Sequence, residues 1–260
     1  MKSPAYIPKV KFELAPVEME AEWLYFFSRT ERRFDAIMHR VYPELGDALS
    51  KSHSKDEDML ICQEFAEQVM EKNRAIILTA KNTILDDWNM IGNEFLRALS
   101  THFETEWPTD RISITGYVSI VPIFPRFLDK YSFCVGHKVN TAQAREIIAH
   151  EILHLLWFKK WKEVFPEISV DQYESPHLAW RLSEIMDPII LQCNPIIKKL
   201  IKPAGWGYEC FKTIKIGDVG MTEYFVKSYA KCVSDGRNFG EMLQTLWVEA
   251  QGNRKVLEVF

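Results

Sequence analysis

His150, Glu151 and His154 stand in an HExxH sequence, His150–Glu151–Ile152–Leu153–His154. On a helix, a spacing of four stacks the two imidazoles one turn apart on the same face. Two imidazoles so placed can share one Zn2+ at bond lengths of about 2.0–2.1 Å. Glu151 projects roughly 100° further around such a helix. Its carboxylate then stands beside the metal rather than on it, where it can take a proton from an activated water. The chemistry that these residue types imply is metal-assisted hydrolysis, with Glu151 as general base.

The surroundings strengthen the motif. From Ile147 to Phe158 the chain reads IIAHEILHLLWF, and the three motif residues are its only polar ones. A helix that is apolar on every face is a buried helix. Burying a carboxylate and two imidazoles there without partners would cost several kcal/mol. A bound cation removes that cost. The competing reading is a coincidental HExxH in a structural helical protein, which an absence of bound metal would favour.

The elements around the motif follow from caps and periodicity. Asn140 and Thr141 supply N-cap chemistry, and Gln143 sits three after Asn140 as in a capping box, so a helix is predicted over 142–164. Upstream, 17–41 has helical spacing at Trp23, Phe26, Phe27, Phe34, Ile37 and Met38. The stretch 56–104 carries two or three further helical patterns, broken near Asn82 and Asp86–Asp87. The first 105 residues therefore read as a helical lobe. After Trp107–Pro108 the character changes: 111–123 (RISITGYVSIVPI) has strand composition. A proline-punctuated loop runs through Pro125, and a short strand follows at 131–135, closed by Gly136. Ser175–Pro176 predicts a helix start, with serine as cap and proline at the first position. Asp187–Pro188 and Asn194–Pro195 repeat that pattern, so 176–202 is predicted to be helical but kinked or segmented. Two more helices are predicted near 222–234 and 239–250, separated by Asp235–Gly236.

With uncharged Ile147, Ile148 and Ala149 before the first histidine and Leu155 and Leu156 after the second, the segment resembles the active-site helix of the zincin metallopeptidases. The resemblance covers roughly 111–190. It implies an α+β fold, mainly helical: a zincin-like catalytic domain over 106–260 with a small antiparallel or mixed sheet, preceded by the helical lobe over 1–105, or the two as one compact unit. The strand at 131–135 takes the place of the edge strand that lines the substrate cleft in zincins. There it could hold a peptide by β-augmentation, or be ordinary sheet.

Within the zincins, a metzincin would continue with glycine at 157 and histidine at 160, where this chain has Trp157 and Lys160. The thermolysin-like branch takes its third ligand from a glutamate on a later helix. The best match is Glu184, thirty positions after His154 and flanked by the apolar Leu182, Ile185 and Met186. His177, Asp171 and Glu174 are its rivals. Asp187, three residues beyond Glu184, has two readings: an acid that orients a zinc-bound histidine, which in that branch stands at a spacing of four, or the N-cap of a helix starting at Pro188. Tyr173, His177, Tyr208 and Tyr224 are candidates for the donor that steadies the oxyanion.

Composition narrows the partners. The chain has 260 residues and a net charge of −4, without the basic excess of a nucleic-acid binder. Lys159–Lys160–Lys162 and Lys198–Lys199–Lys202 read as solvated helix surface. No run approaches the length of a transmembrane helix, and the opening MKSPAYIPKVKFEL lacks the apolar stretch of a signal peptide. The five cysteines are odd in number, widely spaced and free of any CxxC pair, as expected for reduced thiols in a cytoplasmic protein. The expectation is therefore a cytoplasmic zinc metallopeptidase acting on a peptide or protein substrate. A non-catalytic zinc protein and a zinc hydrolase of a non-peptide amide are the alternatives.

Overall fold

The computed structural model describes residues 6–205, 207, 208 and 210–259. Residues 1–5, part of the N-terminal stretch considered above, lie outside the described residues. The chain is mainly helical with a four-stranded mixed sheet, an α+β arrangement. It divides into two compact units, one formed by Lys9–Met90 with Ile112–Ile148, the other by the described residues outside those two segments.

The sheet belongs to the first unit. Its strands are β1 (Lys9–Leu14), β2 (Ser113–Ser119), β3 (Arg126–Phe127) and β4 (Ser132–Gly136), in the order β1-β2-β4-β3. β1 and β4 both run parallel to β2, and β3 is antiparallel to β4. At the middle of this register, Phe12, Gly116 and Phe133 lie side by side. A Cβ on Gly116 would come within 2.8 Å of both phenyl rings, so the glycine lets them meet edge to face with centroids 6.3 Å apart.

β1 corrects the reading of the first 105 residues as wholly helical. Lys9, Lys11 and Glu13 point outward and Val10 and Phe12 inward, an alternation of period two. Its partner lies about a hundred residues downstream, so no local signal announces the pairing. β4 is likewise not an edge. The chain after the prolines turns back, so that Phe127 and Arg126 pair with Ser132 and Phe133, and Cys134 N–H donates to Pro125 O at 2.9 Å. The predicted peptide-binding edge is thus covered through Cys134.

Helices α1 (Val17–Tyr25), α2 (Asp35–Val41), α3 (Pro43–Leu49) and α4 (Lys55–Phe103) precede the second strand. α4 is continuous through Asn82 and Asp86–Asp87, where breaks were expected. Asp87 spends its carboxylate on the Arg145 guanidinium, in a two-pronged pair that includes an Nε–Oδ2 bond of 2.9 Å, rather than on a helix cap. Tertiary pairing has overridden a weak local preference.

Among the described residues of this first unit, one carboxyl is enclosed completely. Glu20, on α1, accepts from Ser119 Oγ at 2.7 Å and from Ile120 N–H at 2.9 Å, just past the end of β2. Beside it, Tyr42 OH donates to Ile120 O at 2.7 Å. Burial raises the Glu20 pKa to about 7, more than the hydrogen bonds from Ile120, Ser119 and Val121 lower it. A folded pKa above the unfolded value of 4.5 means that the fold favours the protonated form. That stabilisation is complete below pH 4.5 and is lost as pH rises toward 7, by up to about 3 kcal/mol at about 1.36 kcal/mol per pKa unit. Urea midpoints measured between these pH values should therefore fall with rising pH in the wild type and fall less in Glu20→Gln; equal slopes would contradict the assignment.

The second unit is built around α5 (Thr141–Val164), from Ala149 on, and α6 (Leu178–Cys193), with α7 (Pro195–Ile201), the short α8 (Cys210–Thr213), the β5–β6 hairpin (Lys215–Ile216, Val219–Gly220), α9 (Met221–Ser234), α10 (Phe239–Gly252) and α11 (Arg254–Leu257). The expected capping box opens α5: Gln143 N–H donates to Asn140 Oδ1 at 2.9 Å and Asn140 N–H to Gln143 Oε1 at 3.1 Å. Asn194 caps α7 by accepting from Ile196 and Ile197. α6 starts two residues later than Ser175–Pro176 suggests, with His177 as its N-cap, and continues unsegmented past Pro188. Trp157 and Trp161 on α5 stack at 6.2 Å, Trp161 meets Trp247 of α10 at 5.0 Å, and Phe103 meets Phe239 at 4.6 Å. This aromatic layer holds the HExxH turns of α5 in place.

Candidate metal centre

α5 and α6 are the two most buried helices of the second unit. Ile152, Leu153, Leu155, Leu156 and Trp157 of α5 are buried, as is every residue of α6 from Leu178 to Leu191. Besides Arg181, which donates to Pro176 O and Leu257 O, five ionisable side chains stand within this apolar packing: His150, Glu151 and His154 from α5, and Glu184 and Asp187 from α6.

Four of them meet directly. His150 Nε2 and His154 Nε2 approach to 3.1 Å. Glu184 reaches both, Oε1 to His154 Nε2 at 3.3 Å and Oε2 to His150 Nε2 at 3.5 Å. Asp187 Oδ2 contacts the other nitrogen of the first imidazole, His150 Nδ1. Glu151 stands further off, its Oε1 3.9 Å from His150 Nε2. His154, Glu184 and Asp187 are buried, and the side chain of His150 is 27% exposed, so solvent meets the group at that imidazole.

His150, His154 and Asp187 offer ligand atoms within 4.8 Å of one another, and such a group could bind a metal ion. Bonding geometry distinguishes Asp187 from Glu184. The two nitrogens of an imidazole diverge, so an ion on His150 Nε2 faces away from the Asp187 contact at Nδ1. Glu184 lies on the Nε2 side of both rings. Tetrahedral zinc with bonds of about 2.0–2.1 Å holds its ligand atoms roughly 3.3–3.4 Å apart. The observed separations are 3.1, 3.3 and 3.5 Å, with Glu184 reaching the two nitrogens through different oxygens, so they are not the edges of a single three-atom ligand triangle.

The charges are mutually dependent. Burial works against a charged His150, but Asp187, then Glu184 and Glu151, hold it well above the ordinary imidazole range. Burial would raise Glu184, yet His154 and His150 pull it well below the usual carboxylate range. Three carboxylates and two imidazoles so enclosed require positive charge, from protons or from a cation.

Of the rivals to Glu184, His177 is the N-cap of α6, two turns and about 10 Å along the axis from Glu184. Asp171 is exposed and accepts from Gln172 Nε2 at 3.0 Å. Glu174 is exposed on the turn between Tyr173 and α6. Asp187 lies inside α6 and is not an N-cap. Pro188, which follows it, lacks the N–H that would bond to the Glu184 carbonyl, so the helix is locally relaxed where its two acids project. Among the oxyanion candidates, Tyr173 is joined to the group by stacked rings: it lies 4.6 Å from Phe158, which lies 6.1 Å from His154. Tyr208 packs on Phe211 and Tyr224 on Phe225. Phe158, which backs His154, drew no attention in the sequence because it reads as one more core residue.

Comparison with known protein families, curated proteins and solved structures finds no match.

Asp187 fixes the His150 ring through Nδ1. Asp187→Asn should therefore weaken the binding of a metal ion added to this group by roughly 10–100-fold, the effect expected of an outer-shell carboxylate. Competition against a chromophoric chelator measures this; unchanged affinity would show that the contact does not orient the ring.

Proposed function

We propose that this protein is a zinc-dependent metallopeptidase of the zincin type, with His150, His154 and Glu184 as metal ligands and Glu151 as general base. The observation that carries this reading is the convergence of the Glu184 carboxylate on both Nε2 atoms, which themselves lie 3.1 Å apart. Two imidazoles and a carboxylate are a donor set that suits zinc. The set resembles the thermolysin-like one of two histidines and a glutamate, here with the second acid three positions after the glutamate rather than four.

When bound, zinc supplies Lewis acidity that polarises a carbonyl and acidifies a water. The chain's own residues do the rest. Glu151, one position from a metal-binding histidine yet outside the ligand set, receives the proton of the attacking water and delivers it to the leaving amine. Asp187 keeps the His150 proton on Nδ1, which leaves Nε2 as the ligand atom. The apolar packing of α5 and α6 keeps bulk water away from His154 and Glu184, which strengthens each of these interactions.

A second reading is a zinc hydrolase of a small amide. It is favoured by the covered edge of β4, which removes the strand expected to hold an extended peptide.

Elemental analysis of the purified chain tests the site. About one zinc per chain is expected in wild type, strongly reduced in His154→Ala and Glu184→Ala, and retained in Glu151→Gln. Hydrolysis of a peptide library by wild type but not by Glu151→Gln would support the peptidase; turnover of simple acyl amides alone would favour the second reading. Zinc retained in Glu184→Ala would refute the ligand set, and no zinc in wild type after its addition would refute the metal reading.

A further inference from the structure

The first unit contains a cavity of about 590 Å3, within the range of small-molecule sites and built only from residues of that unit. Its walls are the turn Phe26–Thr30 that follows α1, and helices α2 and α3. A Cβ on Gly46 would collide with His39 Nδ1, so the glycine lets α3 lie close against α2 on one side of the cavity. Met38, Leu45 and Leu49 are buried and give it an apolar floor.

Arg29 stands in this wall with its orientation already fixed. Its Nε–H donates to Asp58 Oδ2 at 2.9 Å, and Nη2 donates both to Asp58 Oδ1, at 2.7 Å, and to Leu49 O. Asp58 is buried; burial would raise its pKa, but Arg29 pulls it below the usual carboxylate range, so the pair is ionic. These bonds occupy every N–H of Nε and Nη2 and set the plane of the guanidinium. Both N–H groups of Nη1 have no partner among the described residues, and the Arg29 side chain is 33% exposed. Because Arg29 lines the cavity while its Nε–Nη2 edge is covered by Asp58 and Leu49, Nη1 is the polar end left to meet a ligand. Asp35, at the start of α2, and Asp47, on α3, also line the cavity. Both are exposed, and neither carboxylate has a cationic partner among the described residues. Asp58 already matches the charge of Arg29, so these two acids leave the cavity with an excess of negative charge.

We propose that this cavity binds a small zwitterion of the α-amino-acid class with an apolar side chain: Arg29 Nη1 donates to its carboxylate, Asp35 and Asp47 hold its ammonium, and the apolar floor takes the side chain. A simple anion gains Nη1 but meets the two acids. A simple amine gains the acids but gives Nη1 no acceptor. A ligand with both charges uses both walls. Asp58 and Leu49 already hold the guanidinium, so binding does not have to order that long side chain. No residue of the metal centre takes part, so this site and the proposed peptidase are tested separately.

Calorimetric titration of the full chain tests this with L-leucine and L-phenylalanine. Each is compared with its N-acetyl derivative, which lacks the ammonium, and with its decarboxylated amine. At least one of the two amino acids should bind saturably and exceed both of its analogues in affinity by about tenfold or more, which is about 1.4 kcal/mol. Asp35→Asn combined with Asp47→Asn should remove the preference over the N-acetyl derivative. Arg29→Lys, which keeps a cation for Asp58 but loses Nη1, should remove the preference over the amine. Ala36→Trp, at an exposed position of the cavity wall, should abolish binding. No saturable binding of either amino acid, an analogue that binds within about tenfold of its amino acid in both sets, or full binding by Ala36→Trp would overturn the proposal. The wild-type comparison stands even if a variant fails to fold.

Discussion

Three carboxylates and two imidazoles lie among the apolar turns of α5 and α6, with the His150 side chain 27% exposed. Most of the second unit is intelligible from that constraint. Unpaired, each of these groups would be intolerable at such depth. Together they are tolerable only if their spacing lets positive charge sit among them. The constraint then propagates outward: α5 must present its two histidines at a fixed roll, α6 must bring its acids to the same height, and the rings of Phe158, Trp157 and Trp161 hold that roll from behind. A helix that turned by even one residue position, roughly 100°, would bury the same charges without their partners.

This explains why most members of the candidate site stand out in the sequence. His150, Glu151 and His154 announce themselves because polar residues in an otherwise apolar helix must answer for their burial. The position of Glu184 could be ranked but not fixed, because its pairing depends on where α6 crosses α5, and no periodicity encodes a crossing. The Asp187 contact was harder still. Before a proline, an aspartate reads as a helix cap, and only the continuous α6 shows that it points to His150 Nδ1 instead.

The sheet shows the complementary case. β4 and the capping box of α5 follow from local composition and appear within a residue of their expected bounds, and β2 occupies 113–119 of the stretch 111–123. β1 was missed although its alternation was in view, because a six-residue pattern gains meaning only from its partner. The covering of β4 by Pro125 to Phe127 was also beyond reach. Prolines mark that the chain turns, not where it returns. The buried Glu20 belongs to the same class: it is an ordinary residue in an ordinary context until Ser119 is placed beside it.

The parallel pairing of β1 with β2 also bears on how the chain reaches its native state. Lys9 lies opposite Ser113, and Glu20 closes on Ile120, so the first strand and first helix depend on residues about a hundred positions later. Contacts so distant in sequence demand loop closure before they yield any stabilisation, and folds rich in them form slowly. During synthesis, β1 must therefore wait unpaired while the whole of α4 emerges. A bare strand is a hazard for sticking to its neighbours. Lys9, Lys11 and Glu13, on the face that stays exposed in the finished sheet, keep the waiting strand charged and discourage self-association until its partner arrives.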